Sequence, residues 1–136
     1  MPEFAFDVLV EDPPEQVWER LWDLRRHTAT VPLTTVAGEP LREGARFTGR
    51  TAVGPLGFDD DMVVRTWEPP RLAVVDKVGR VLTGTITVTL TRTARGTSVR
   101  WRQTYGAALV PDRLAALARP AVRTAYRSAV RRITAP

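Results

Sequence analysis

The segment VLTGTITVTLTRT, Val81 to Thr93, restricts the fold more than any other part of the chain. Leu82, Gly84, Ile86, Val88 and Leu90 fall on one side of an extended backbone, and Thr83, Thr85, Thr87, Thr89 and Thr91 fall on the other. A period of two sustained this long is a strand with one face toward a core and one toward water. A strand wet on one face belongs to an antiparallel sheet, because parallel sheets are covered on both faces. The turn ARG then leads into TSVRWRQTYGA, where Val99, Trp101, Gln103 and Tyr105 oppose Arg100, Arg102 and Thr104. Threonine and arginine again mark the outer face.

The same reading extends along the chain. FAFDVLVE sets Phe4, Phe6, Val8 and Val10 against Asp7 and Glu11, a half-buried strand. In EDPPEQVWERLWDL, Asp12 is placed to cap a helix, Pro13 and Pro14 suit its first turn, and Glu15 has the spacing of a capping box. Val17, Trp18, Leu21 and Trp22 make the apolar stripe of that helix. RRHTATVPLTTV reads as a short helix or turn ended before Pro32, followed by an extended piece. ARFTGRTAV, FDDDMVVRTW and RLAVVDKV are further strands, separated by the Gly54–Gly57 turn, by Pro69-Pro70 and by Gly79. From Pro111 the pattern is a long helix with Leu114, Leu117, Ala121, Val122, Ala125, Tyr126, Ala129, Val130 and Ile133 on its apolar face. Pro120 inside it predicts a kink or break.

At 136 residues and 43% hydrophobic content, residues 1–136 make a single domain with one core. The absence of cysteine excludes disulfides and zinc–thiolate sites and fits a cytoplasmic location. MPEFAFDVLV lacks the basic start of a signal peptide, and no apolar run approaches the ~20 residues of a membrane span. The net charge of +5 resides in the last segment, where six arginines face one acid, Asp112. The order of strand, helix, short helix, strands and long helix predicts an α+β domain. A curved antiparallel sheet of about six or seven strands wraps a long C-terminal helix. A curved sheet and a helix seldom fill the space between them, so a cavity for a small apolar molecule is expected.

This order resembles the START-like (SRPBCC) superfamily, the helix-grip fold, which includes polyketide cyclases and dehydrases and plant lipophile binders. The resemblance spans nearly the whole chain and rests on PPEQVWERLWDL, TWEPPRL, RGTSVRW and the closing helix. HTATVPLTTV, GRTAVGPLGFDDDMVV and DKVGRVLTG look like an actinobacterial, polyketide cyclase-like subgroup of unknown substrate. The resemblance implies a hydrophobic small-molecule cavity under the C-terminal helix and no obligatory cofactor. It supplies no catalytic signature, because this fold hosts binders and enzymes alike.

Asp59, Asp60 and Asp61 lie in a row, but strand parity sends Asp59 and Asp61 to one face and Asp60 to the other with Phe58, Met62 and Val64. Carboxylates split this way do not converge on a metal. Asp60 is either part of a solvated strand start or a polar group on the cavity wall. Val63 and Trp67 share the parity of Arg65, which leaves the facing of that stretch mixed. His27, the sole histidine, reads either as a helix-end residue near terminal carbonyls or as an acid/base group oriented by Asp60. In a cofactor-independent cyclase or dehydratase, His27 and Asp60 would move protons while Gln103 and Tyr105 polarise a carbonyl. Gln103 and Tyr105 equally suit hydrogen bonds to neighbouring structure. Trp22, Phe47, Phe58, Met62, Trp101 and Tyr126 serve as core, as ligand wall, or as both. Lys77 has the parity of Ala73 and Val75, yet its place on a hairpin favours the rim. Arg119, Arg123, Arg127 and Arg131 recur every four residues and form one helical stripe, a solvated face or a surface for an anion, anionic lipid or acidic partner. A homodimer is compatible with the pattern, and no nucleic-acid motif accompanies the stripe.

Overall fold

A computed structural model describes residues 1–136. The chain runs β1 (Glu3–Val10), α1 (Pro14–Leu21), α2 (Leu24–Thr30), β2 (Thr34–Gly38), β3 (Arg46–Val53), β4 (Leu56–Glu68), β5 (Leu72–Val78), β6 (Leu82–Thr93), β7 (Gly96–Thr104), β8 (Gly106–Ala107), α3 (Asp112–Leu117) and α4 (Arg119–Thr134). Strands pair antiparallel in the order β1-β7-β6-β5-β4-β3-β2, and β8 continues on β6 where β7 has ended. Where β7 ends, Gly84 of β6, at φ 137°, approaches so closely that a side chain there would strike the Thr104 carbonyl.

The inner face of the sheet is the alternating apolar set read from the sequence. Phe4, Phe6 and Val8 of β1, Val99 and Trp101 of β7, Ile86 and Val88 of β6, Ala73 and Val75 of β5, and Val64 of β4 are buried together. Burying each of these larger side chains stabilises the fold by about 1.5–3 kcal/mol. α4 lies across this face, burying Val130, Ile133 and Thr134, and α1 adds Val17, Trp18 and Leu21.

Strand β4 explains the mixed facing around Arg65. Val64 pairs with Val75 but Thr66 pairs with Val74, so Arg65 is an extra residue in a β-bulge. The bulge reverses parity: Val64 points inward before it and Trp67 points inward after it. The Trp67 ring centroid lies 4.9 Å from that of Trp18 and 5.6 Å from that of Trp22, forming an aromatic floor.

One helix end departs from expectation and another, at Pro120, meets it. Asp12 does not cap α1: its carboxylate accepts from Arg20 at 2.7 Å, and its carbonyl accepts from the Thr97 hydroxyl at 2.7 Å. Arg20 also donates to the Thr134 carbonyl at 3.2 Å, and Arg26 donates to the carbonyls of Ile133 and Ala135. These contacts clasp the end of α4 to the helical layer. At the other end Pro120 coincides with a break at Ala118, which separates α3 from α4. α3 turns off the sheet there, so Leu114 and Leu117 are exposed rather than part of one continuous apolar face.

Candidate functional site

Sheet and α4 enclose a cavity of about 370 Å³, within the range of small-molecule sites. Of its 22 lining residues 16 are apolar, and the polar exceptions include His27, Asp60 and Lys77. Its wall reaches the surface at Phe58 and Ala125, both exposed.

Strand pairing accounts for the charged group in the wall. Met62 of β4 pairs with Lys77 of β5, and Lys77 pairs with Gly84 of β6. Asp60, one inward step from Met62, pairs with Gly49 of β3. Glycine therefore flanks the pair on both outer strands, leaving it uncovered by side chains from either side. Lys77 is not at the rim as its hairpin position implied: its side chain is 3% exposed and ion-paired with Asp60, itself 14% exposed. The Lys77 ammonium also lies 5.6 Å from the centroid of the Tyr126 ring on α4, within cation–π reach. Burial pushes the Lys77 pKa down, but Tyr126 and Asp60 outweigh it, and the net shift is upward. The group is thus a fixed cation in an apolar chamber.

His27 also lines the cavity, from α2. Its Nε2 lies at hydrogen-bond distance from the Leu21 carbonyl. Burial lowers its pKa, more than the Leu21 bond and Asp23 raise it, so near neutral pH the ring is uncharged. A neutral ring donating from Nε2 leaves Nδ1 with its lone pair. His27 and Asp60 have each taken another partner, and no hydrogen bond joins them.

Trp22, Phe47, Phe58, Met62, Trp101 and Tyr126 all contribute to the wall. Gln103 and Tyr105 do not. Gln103 is fully buried behind it, its Oε1 accepting from Trp101 Nε1 at 3.0 Å. The Tyr105 hydroxyl donates to the Ala115 carbonyl at 2.7 Å and ties the β7–β8 link to α3. Both serve neighbouring structure, Gln103 within β7 and Tyr105 where the chain leaves β7 after Thr104. Asp59 and Asp61 lie outside, the first bonded to Arg50 at 2.9 Å and the second to Thr48 at 2.7 Å.

Two buried polar atoms have no protein partner: the Nε1–H of Trp22 and Oδ1 of Asp60. Both belong to residues of the cavity wall, one a donor and one an acceptor. Buried polar atoms left without partners are uncommon in folded proteins.

No family model and no curated protein matches the chain. Solved structures do. One domain's worth of the di-domain ARO/CYC StfQ from the steffimycin biosynthetic pathway superposes with a TM-score of 0.77 at 14% identity, covering 97% of this chain and 48% of that one. Ara h 8.0201 superposes with a TM-score of 0.74 at 10% identity, covering 98% and 95%. Protein MLL2253 from Mesorhizobium loti gives 0.70 at 22% identity, covering 97% and 96%. The chain has the START-like helix-grip fold.

Within the START-like frame, sequence reasoning missed Lys77 as an inward group. Its parity with Ala73 and Val75 was the available signal, and so was its standing as the single lysine among twenty basic residues. The contributions of Ala125, Ala129, Val130 and Ile133 follow from α4 crossing the chamber.

Proposed function

We propose that the protein binds a hydrophobic or aromatic small molecule in the cavity, with an oxygen-bearing end held at Lys77. The observation that carries this is the Lys77–Asp60 pair in an apolar wall. Well-packed apolar residues of similar volume often serve a fold as well as or better than a buried ion pair, so stability alone gives little reason for one there. A carbonyl, enolate or phenolic oxygen would gain from the fixed ammonium. A ligand hydroxyl donating to Asp60 Oδ1 and an oxygen accepting from Trp22 Nε1 would satisfy both unpartnered atoms. The likeness to the ARO/CYC protein StfQ supports ligands of this kind.

A catalytic reading is favoured by one observation, the neutral His27 with Nδ1 free. A base beside a bound ketone, with Lys77 stabilising the developing enolate oxygen, is sufficient for enolisation. Cyclase or dehydratase chemistry would follow from that step, whereas a carrier needs only the chamber.

The test uses native mass spectrometry of freshly purified protein together with binding of the apolar fluorophore 1-aminoanthracene. A retained small molecule or saturable probe binding is expected, and Ala125→Trp, which fills the exposed edge of the chamber, should abolish probe binding. Unaltered probe binding in that variant, or none in the parent, rules out the cavity as the site. Deuterium exchange at the α-carbon of 1-phenylbutane-1,3-dione then separates catalyst from carrier: a catalyst accelerates it and His27→Gln loses the acceleration.

A further inference from the structure

Apolar exposure on this molecule is one-ended. Twelve large apolar side chains are exposed. All but Leu9 lie at the end of the sheet where β3 turns into β4, β5 into β6, and β8 leads to α3. They stand on separate tips: Val53 and Leu56 on the first hairpin, Val81 on the second, and Leu109, Leu114 and Leu117 along the approach to α3 and the helix itself. Leu56, Leu109 and Leu117 are 76%, 103% and 78% exposed, so the core has no claim on them.

Positive charge accompanies them. Arg80 sits in the β5–β6 turn, Arg113 lies in the first turn of α3, and Arg119 begins α4 just after it. None of the three forms an ion pair. Asp112 is the one acid on these tips, and Asp59 behind them is held by Arg50 at 2.9 Å. Phe58 belongs both to this rim and to the cavity wall, so the chamber reaches the surface at the same end.

We propose that this end docks on an anionic lipid surface, with the aliphatic tips entering the headgroup region and Arg80, Arg113 and Arg119 facing phosphates. Interfacial binding of this type scales with the apolar area inserted plus the attraction of cations to anionic lipid. A second copy is disfavoured because two such rims carry the same charge. Protein partners are usually met by a continuous patch whose centre is rich in aromatic residues, whereas these separate tips are mostly leucine and valine and Phe58 is their one aromatic side chain. A fluid surface conforms to separate tips. Docking goes beyond the cavity reading and does not require it, although a chamber opening on a bilayer would let an apolar ligand enter without crossing water.

The test is flotation with vesicles of phosphatidylcholine containing about 30 mol% phosphatidylglycerol, with pure phosphatidylcholine as comparison. The parent should float with the anionic vesicles, bind pure phosphatidylcholine far less, and detach as salt rises. Leu109→Asp combined with Leu117→Asp should weaken binding by about tenfold or more. Leu9→Asp, at the opposite end, should bind like the parent, and circular dichroism checks that each variant is folded. The proposal falls if the parent ignores anionic vesicles or if the Leu109/Leu117 variant floats like the parent. It also falls if sedimentation velocity shows a dimer that this variant abolishes, because a second copy would then own the tips. Failure of probe binding in the cavity leaves the flotation result unaffected, so the two readings fail separately.

Discussion

Replacing Lys77 with methionine tests the charged wall most directly. The substitution keeps the length of the side chain and removes its ammonium, leaving the Asp60 carboxylate without its partner. Breaking a buried pair from one side costs about 3–5 kcal/mol. Asp60 is 14% exposed, against 3% for Lys77, so partial hydration places the cost near the lower bound, about 3 kcal/mol. With a urea slope of about 2 kcal/mol/M, the unfolding midpoint should fall by about 1.5 M. The stranded carboxylate binds a proton more tightly in the folded state than in the unfolded one. Stability of the variant should therefore fall as pH rises above the unfolded carboxylate pKa of about 3.9 and recover as pH drops back toward it. Adding Asp60→Leu should return stability to within about 1 kcal/mol of the parent, because no uncompensated charge remains. Urea melts followed by far-ultraviolet circular dichroism measure all three. A Lys77→Met variant within about 0.5 kcal/mol of the parent, or a double variant as unstable as the single one, would refute the reasoning.

Two further outcomes are expected. Trp67→Ala should cost about 3–5 kcal/mol by opening a hole beside Trp18 and Trp22, read by urea melts; a loss below about 1 kcal/mol would mean that the aromatic floor collapses to fill it. His27 has a folded pKa lowered from 6.5, so the folded state resists protonation and the parent should lose stability as pH falls through that range. Thermal melts from pH 7 to pH 5 should show a shallower decline in His27→Gln, and equal slopes would contradict a buried neutral imidazole.

Period-two alternation made the sheet legible, since strands such as β6 and β7 carry their facing in every second residue. The inward placement of Asp60 followed from the same parity. Parity fails where the chain stops counting in twos. The bulge at Arg65 moved Trp67 inward, and the bend after Thr104 took Tyr105 out of register with the cavity wall. Lys77 was misplaced for a different reason: ordinary lysines prefer water, and only the approach of Asp60 and Tyr126 from other elements makes its burial tolerable. Partners far apart in sequence cannot be read from local pattern. Gln103 was different again: its amide oxygen accepts from Trp101, two residues away on the same face of the same strand, which takes it from the cavity.

The extra residue at Arg65 gives β4 two phases. Even-numbered side chains face the inner side of the sheet before it, Asp60 and Met62 at the chamber and Val64 in the core, and odd-numbered Trp67 faces that side after it. Insertions and deletions in this strand are therefore not equivalent to those in a loop. Removing a single residue at the bulge would put the whole strand in one phase. The chain would then keep either the carboxylate that meets Lys77 or the tryptophan that floors the aromatic cluster, and never both.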